Sequence, residues 1–255
     1  EVPSGLYETL ALAQEMARQS DGAFDITSGT LTELWDAARA AQYPPTAEEV
    51  AAARAHVDWH ALELRERAAD DGEHPEVRLL RAGMKIDRGA LIKGLALDGI
   101  ARSWAAGGAV NALADLGSSS ILACGVNAEG EPWHIGIRNP RGESRSDLAA
   151  AAQLSDAMLS TSGDDERYFL CEGRRYHHLV DPRTGCPAET GLASVTVILP
   201  QNAMAGTAWA GHEGQLSDML STAIFVMGAE RGRSLLSEIP GAQLILIGTD
   251  GHVIE

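Results

Sequence analysis

At 255 residues, 45% of them hydrophobic and 22% charged, the chain can bury a sizeable apolar core in one large domain or two small ones. Its formal net charge of -16 excludes a nucleic-acid partner recognised through a basic stripe. Any phosphate it holds needs local help from a metal ion, a lysine or the N–H groups of a helix start. No apolar run is long enough to span a bilayer, and Cys124, Cys171 and Cys186 fall in neither a zinc nor a disulfide spacing.

In chain order, Leu6, Leu10, Ala13 and Ala17 recur at helical spacing and predict a helix over Ser4–Gln19, with Ser4 as N-cap. Ala23 to Gly29 is too rich in turn formers for a regular element, and a short second helix is expected over Thr30–Ala38. Thr46 and Glu49 form a capping box for a third, reaching about Ala55. Short apolar runs between charged turns predict antiparallel strands from Asp58 to Ile86. A helix from Gly94 to Trp104 follows, and helical spacing resumes around Asn111.

Ser119–Ala123 and Trp133–Ile137 read as a strand pair, and Asn139 to Asp147 as a polar connection. Ala157–Thr161, Tyr176–Val180 and Ala193–Leu199 are strand-like. The last third predicts helices over Ser217–Met227, stopped by Gly228, and Gly232–Ser237, then a strand Gln243–Ile247. Without a regular βαβ alternation, the expected class is α+β, with mixed, mostly antiparallel sheets and flanking helices in a single domain.

Four segments place polar residues where neither a core nor an ordinary surface requires them. Asp21-Gly22-Ala23-Phe24-Asp25 sets two carboxylates around a glycine and an aromatic, and reads alone as a turn with Asp25 as N-cap. Asp87 to Asp98 runs from a strand end into a helix. Lys93 opposes the helix dipole there unless an anion sits at the N-terminus, where both would favour a phosphate. The spacing fits no established phosphate loop, so the two readings stand equal. His177-His178-Leu179-Val180-Asp181-Pro182-Arg183-Thr184-Gly185 ends a strand in a tight turn, with adjacent histidines on opposite faces. Asp218, Ser221 and Thr222 share one helical face, which suits a hard cation such as Mg²⁺ or simply hydroxyls bonded to the preceding turn.

Together and in this order, these segments resemble the FAD:protein FMN transferase family, also called ApbE. Its (T/S)DGAFD, D-x-x-A-x-x-K-G-x-A-x-D, TSGD, YxHxxDPRTGxP and D-x-x-(A/S/D)-T-A motifs are matched by Ser20–Asp25, Asp87–Asp98, Thr161–Asp164, Tyr176–Pro187 and Asp218–Ala223. The resemblance implies a T-fold-related architecture and transfer of FMN from FAD to a Ser or Thr hydroxyl of a target flavoprotein, releasing AMP. It implies FAD binding by Ala23, Phe24, Asp25, Asp87, Lys93, His178 and Val180. It also implies Mg²⁺ held by the Ala90 carbonyl, Asp218 and Thr222, with Ser221 nearby.

Family members can have an aspartate where Ser221 stands, so one metal ion is the expectation rather than two. Lys93 would add positive charge at the pyrophosphate, and His178 would take the hydroxyl proton, with Asp164 or Asp181 as fallback. The implied acceptor carries a Ser/Thr flavinylation motif, as in a redox-pump subunit, and the implied place of this chain is the periplasm or an anchored position on the outer face of the bacterial inner membrane. Family members also carry an N-terminal segment with a Met-Gly-Thr motif that touches the flavin. Nothing here matches it, so part of the flavin site is expected to be absent or supplied by residues outside this chain. The competing readings are a Mg²⁺-dependent FAD pyrophosphatase and a non-catalytic FAD binder.

Overall fold

A computed structural model describes residues 1–66, 75–89 and 91–254. The chain divides into two compact units, one formed by Glu1–Gly89 with Arg167–Ala188 and the other by Ala90–Glu166 with Glu189–Glu255. Elements are numbered along the chain.

In the first unit, α1 (Ser4–Gln19) buries Leu10, Ala13, Met16 and Ala17, the stripe that helical spacing requires. Pro3, not Ser4, holds the N-cap position, and no side chain caps it. The Pro3 carbonyl receives the Leu6 and Tyr7 N–H groups directly, so the proline starts the helix one residue before the serine. Helix α2 (Gly29–Ala41) runs three residues past the expected Ala38, to a left-handed Gln42. Helix α3 (Ala47–Arg54) starts on the expected Thr46–Glu49 capping box.

Strands β1 (Leu62–Arg65) and β2 (Glu76–Leu79) pair antiparallel, Leu62 facing Leu79. The expected Tyr176–Val180 strand is instead two pieces. β9 (Arg174–His177) pairs with β8 (Tyr168–Cys171), while β10 (Val180–Asp181) pairs with β11 (Cys186–Pro187). The ladder breaks at His178, whose N–H goes to the Arg167 carbonyl.

The second unit is built on a fully antiparallel five-stranded sheet in the order β13-β12-β7-β4-β3. Its strands are β3 (Ala112–Asp115), β4 (Ser120–Cys124), β7 (Ala157–Gly163), β12 (Leu192–Pro200) and β13 (Gln243–Gly248). On one face Leu122 and Met158 pack against Leu97 of α4 (Ile92–Gly107). On the other, Ile121, Ala123, Leu159, Ile198 and Ile247 pack against Ile135, Ile137, Ala152 and Leu154. Those last four belong to the antiparallel pair β5 (Trp133–Arg138) and β6 (Leu148–Leu154). With both faces covered, β12 is buried from Leu192 to Leu199 without alternation, as expected of a central strand.

Helix α5 (Glu213–Met227) buries every residue from Glu213 to Val226 except Thr222, and α6 (Ala229–Leu236) follows.

Several expectations are corrected here. Ala112–Asp115 is an edge strand rather than a helix: pairing with β4 overrides the helix preference of alanine and leucine. The segments Ser119–Ala123 and Trp133–Ile137 are not partners. β4 lies between β3 and β7, and β5 takes the alanine-rich β6, which carries no strand signal of its own. Helix α4 begins two residues before Gly94, which puts Lys93 in its first turn. Helix α5 begins four residues before Ser217, and α6 spans Ala229–Leu236 rather than Gly232–Ser237. The mixed α+β class with antiparallel sheets and flanking helices is the one observed.

Candidate active site

In the first unit, Asp21 and Gly22 take consecutive left-handed conformations, φ 55° and 71°, and turn the chain after α1. A Cβ on Gly22 would lie 3.5 Å from Trp59 Nε1 and 3.9 Å from Arg183 Cγ, so this turn sits against the Asp181–Gly185 turn. Asp25 does not cap α2, whose N-cap position belongs to Ser28. Its Oδ1 accepts from Thr27 N and Oγ1, both at 2.7 Å, and its Oδ2 from Trp59 N at 3.1 Å. Burial raises the Asp25 carboxyl above its ordinary value, and those three hydrogen bonds oppose the rise. Ala23 and Phe24 are buried.

Asp87 joins the same region. Its N–H donates to the Ile26 carbonyl at 2.7 Å, and its carboxylate accepts from Thr32 Oγ1 at 2.7 Å and Gly89 N at 2.8 Å. Asp181 is held by Arg183 in two hydrogen bonds of 2.9 Å. Val180 packs on the Trp35, Ala38, Val50 and Phe169 cluster. His178 is pushed down to about 3, chiefly by burial and secondly by the Arg167 charge, and its Nδ1 is a buried atom without a hydrogen-bond partner among the described residues.

The second unit brings Lys93 and Asp218 together. Gly94 N donates to Asp218 Oδ2 at 3.1 Å, so the α5 carboxylate caps the start of α4, which has no side-chain cap of its own. Burial raises the Asp218 carboxyl, while the Gly94 N–H and the Lys93 charge oppose the rise. Lys93 Nζ donates to Ser119 Oγ. Ser221 Oγ and Thr222 Oγ1 bond back to the Asp218 carbonyl at 2.9 and 3.4 Å, and Ser162 Oγ joins them at 2.9 and 3.0 Å.

The side chains at this end of α5 offer one buried carboxylate and three hydroxyls, all hard oxygen donors. That set fits Mg²⁺ and disfavours soft or imidazole-bound metals, and a divalent cation would offset the burial of Asp218. Ala90, the expected carbonyl ligand, lies outside the described residues. Asp164, on the turn after β7, is gripped bidentately by Arg141 at 2.6 and 2.7 Å.

Residues 1–246 match the sequence profile of the ApbE family. The chain belongs to the ApbE family. An ApbE relative from Treponema pallidum (strain Nichols), named FAD:protein FMN transferase, is 35% identical over 99% of this chain and 68% of its own length. The one from Haemophilus influenzae is 29% identical over 100% of this chain and 69% of its own. Among solved structures, an ApbE protein from Thermotoga maritima superposes with a TM-score of 0.77 at 33% identity. It covers 100% of this chain and 76% of that one. The flavinyl transferase ApbE of Pseudomonas stutzeri gives 0.75 at 29% identity, covering 99% and 72%.

Four residues bonded to or near the candidate site residues were given no role from the sequence. Ser119 is one serine in a serine-rich run and Arg141 lies in a polar loop, while Ser162 and Asp98 belong to matched motifs that carry no cue to what their side chains hold.

Proposed function

We propose that this chain transfers the FMN moiety of FAD to a Ser or Thr hydroxyl of an acceptor flavoprotein, with release of AMP. The observation that carries the reading is the Gly94–Asp218 hydrogen bond, which joins the lysine-glycine motif to the aspartate-hydroxyl motif. Lysine and buried carboxylate then lie at one helix start, where a phosphate and a cation can share the same corner. The names of the Treponema and Haemophilus relatives support it.

A magnesium ion held by Asp218 and Thr222, beside Ser221, would supply the positive charge that stabilises AMP as it leaves when the pyrophosphate link of FAD is cleaved. Lys93 adds a second charge and is held by Ser119. Ser119 also lines a cavity of about 200 Å³ between the sheet and the β5–β6 pair, together with Thr161, Gly163 and Ser194. The cavity is too small for a whole dinucleotide and suits one part of it.

In the first unit, Ala23, Phe24, Asp25, Asp87 and Val180 are the proposed flavin-binding residues. The side chains of Asp25 and Asp87 are spent on Thr27 and Trp59 and on Thr32 and Gly89, so they act by fixing the backbone around them. His178, which the resemblance casts as the proton acceptor, is pushed down to about 3 by burial, too weak a base to hold that proton at working pH. Its neutral ring instead serves as a hydrogen-bond acceptor that orients the hydroxyl, whose proton passes to solvent. Asp164 and Asp181, each held by an arginine, contribute through the turns they fix.

The compartment we propose, by family analogy, is the periplasmic face of a bacterial membrane. Among the described residues no helix is long and apolar enough to cross one.

The test is intact-mass analysis after incubation with FAD, Mg²⁺ and a domain bearing a Ser/Thr flavinylation motif. An FMN-sized gain on the acceptor that needs Mg²⁺ and is lost in Asp218→Ala is the expected result. Free FMN and AMP without acceptor modification would replace the reading with a pyrophosphatase, and metal-independent FAD retention with a binder.

A further inference from the structure

The second unit contains a carboxylate that the proposed chemistry does not use. Asp98, one turn along α4 from Gly94, is 1% exposed. Its Oδ1 accepts from Gly214 N at 2.7 Å, and its Oδ2 from Gln215 N at 3.2 Å and Gln215 Nε2 at 3.1 Å. Gly214 and Gln215 belong to the first turn of α5, whose N–H groups have no partner within their own helix. His212, at the N-cap position of α5, offers no side-chain cap.

Each helix therefore borrows its cap from the other: Asp218 of α5 closes the start of α4, and Asp98 of α4 closes the start of α5. The backbones touch where this exchange occurs. A Cβ on Gly94 would lie 2.5 Å from the Gly214 carbonyl oxygen and 2.6 Å from Gln215 Cα. One on Gly214 would lie 2.6 Å from both Asp98 Oδ1 and the Gly94 carbonyl oxygen. No side chain larger than hydrogen fits between the two helices at this crossing.

We infer that Asp98 is a positioning residue for metal binding: by holding the first turn of α5 against α4, it sets where the Asp218 carboxylate stands relative to Lys93. Asp98 is too buried to meet a substrate and acts through Asp218. Three bonds from Asp98 and one from Asp218 fix the crossing, so the register of α5 along α4 is set mainly from the Asp98 side. Losing Asp98 frees α5 to shift at the end where Asp218, Ser221 and Thr222 are arranged. Gln215 shares the task, because its side chain bridges Asp98 and His212 Nδ1, the latter at 2.8 Å.

This inference rests on the proposed metal role of Asp218, and its test reads metal binding apart from transfer. Mn²⁺ alone is titrated into the full chain and followed by electron paramagnetic resonance, for the parent, Asp98→Asn and Gln215→Met. Asp98→Asn is expected to weaken Mn²⁺ binding by about tenfold or more, the usual scale for losing a residue that orients a ligand. Gln215→Met, which removes one donor and preserves volume, shifts it less in the same direction. In transfer assays the Asp98→Asn loss falls on the Mg²⁺ concentration needed for half-activity, while kcat at saturating Mg²⁺ stays close to the parent.

A purely structural Asp98 would lower Tm and leave Mn²⁺ affinity within about twofold of the parent in both variants, which overturns the inference. Should Asp98→Asn fail to fold, Gln215→Met decides by the same criterion. A parent that binds no Mn²⁺ overturns it together with the metal role of Asp218. A parent that binds Mn²⁺ but transfers no FMN overturns only the transferase reading.

Discussion

Gly94 and Asp218 stand 124 residues apart in sequence and share a hydrogen bond of 3.1 Å. Burial makes the charge of Asp218 costly, which sets stability against function at this carboxylate. Asp218→Asn retains an acceptor for Gly94 N and removes the charge. It is expected to hold or raise Tm by a few degrees while FMN transfer falls by about 100-fold or more. Thermal unfolding and a mass-based transfer assay, run on the same preparation, check both halves.

Arg141 and Asp164 form a second pairing, with the carboxylate 3% exposed and Arg141 Nε also donating to the Thr249 carbonyl. Arg141→Ala would take the bidentate partner from a buried carboxylate, at a cost of up to about 3–5 kcal/mol. Arg141→Ala combined with Asp164→Asn should regain more than half of that. A double-mutant cycle by denaturant unfolding measures the coupling, and additive losses would show that the pair contributes nothing specific.

His178 gives a pH prediction with a definite sign. Its pKa falls from 6.5 to about 3 on folding, so the unfolded chain binds the proton more readily. Its contribution is complete above pH 6.5. As pH falls from there towards 3, stability drops by up to about 1.4 kcal/mol per pH unit. His178→Gln should flatten that slope, as read from unfolding between pH 4 and 8. Transfer activity should show no rising limb near pH 6.5 from this residue; a limb that disappears in His178→Gln would contradict its buried, neutral state.

Gly185 has φ 79°, and an added Cβ would lie 2.8 Å from Val50 Cγ1. Its carbonyl accepts from Trp35 Nε1 at 2.9 Å. Gly185→Ala combines a left-handed alanine with overpacking and is expected to cost about 2–4 kcal/mol. The loss should appear as a Tm drop together with altered fluorescence from Trp35.

Much of the candidate site was legible from the sequence because its motifs are contiguous: the turn at Asp21–Gly22, the Asp181–Gly185 turn and the shared face of Asp218, Ser221 and Thr222 are set by neighbours a few residues apart. What was not legible depends on distant partners. Asp25 reads as a helix cap, yet its carboxylate reaches Trp59 N, 34 residues on. Lys93 reads as a lone charge, yet its partner is Ser119. The alanines of β6 prefer a helix and form a strand because β5 supplies a hydrogen-bonded edge and the sheet a surface to cover.

By itself the sequence determined the helix periods, the Thr46–Glu49 capping box, the α+β class and the family, since each depends on local spacing or on motif order. Tertiary structure alone decided which strands pair, that α4 and α5 exchange caps, and that Asp98 stands behind Asp218. The two exchanged caps bring together groups more than a hundred residues apart. Their hydrogen bonds form only once the sheet and the Gly94–Gly214 contact have set the two helix starts side by side, and no local periodicity encodes that approach.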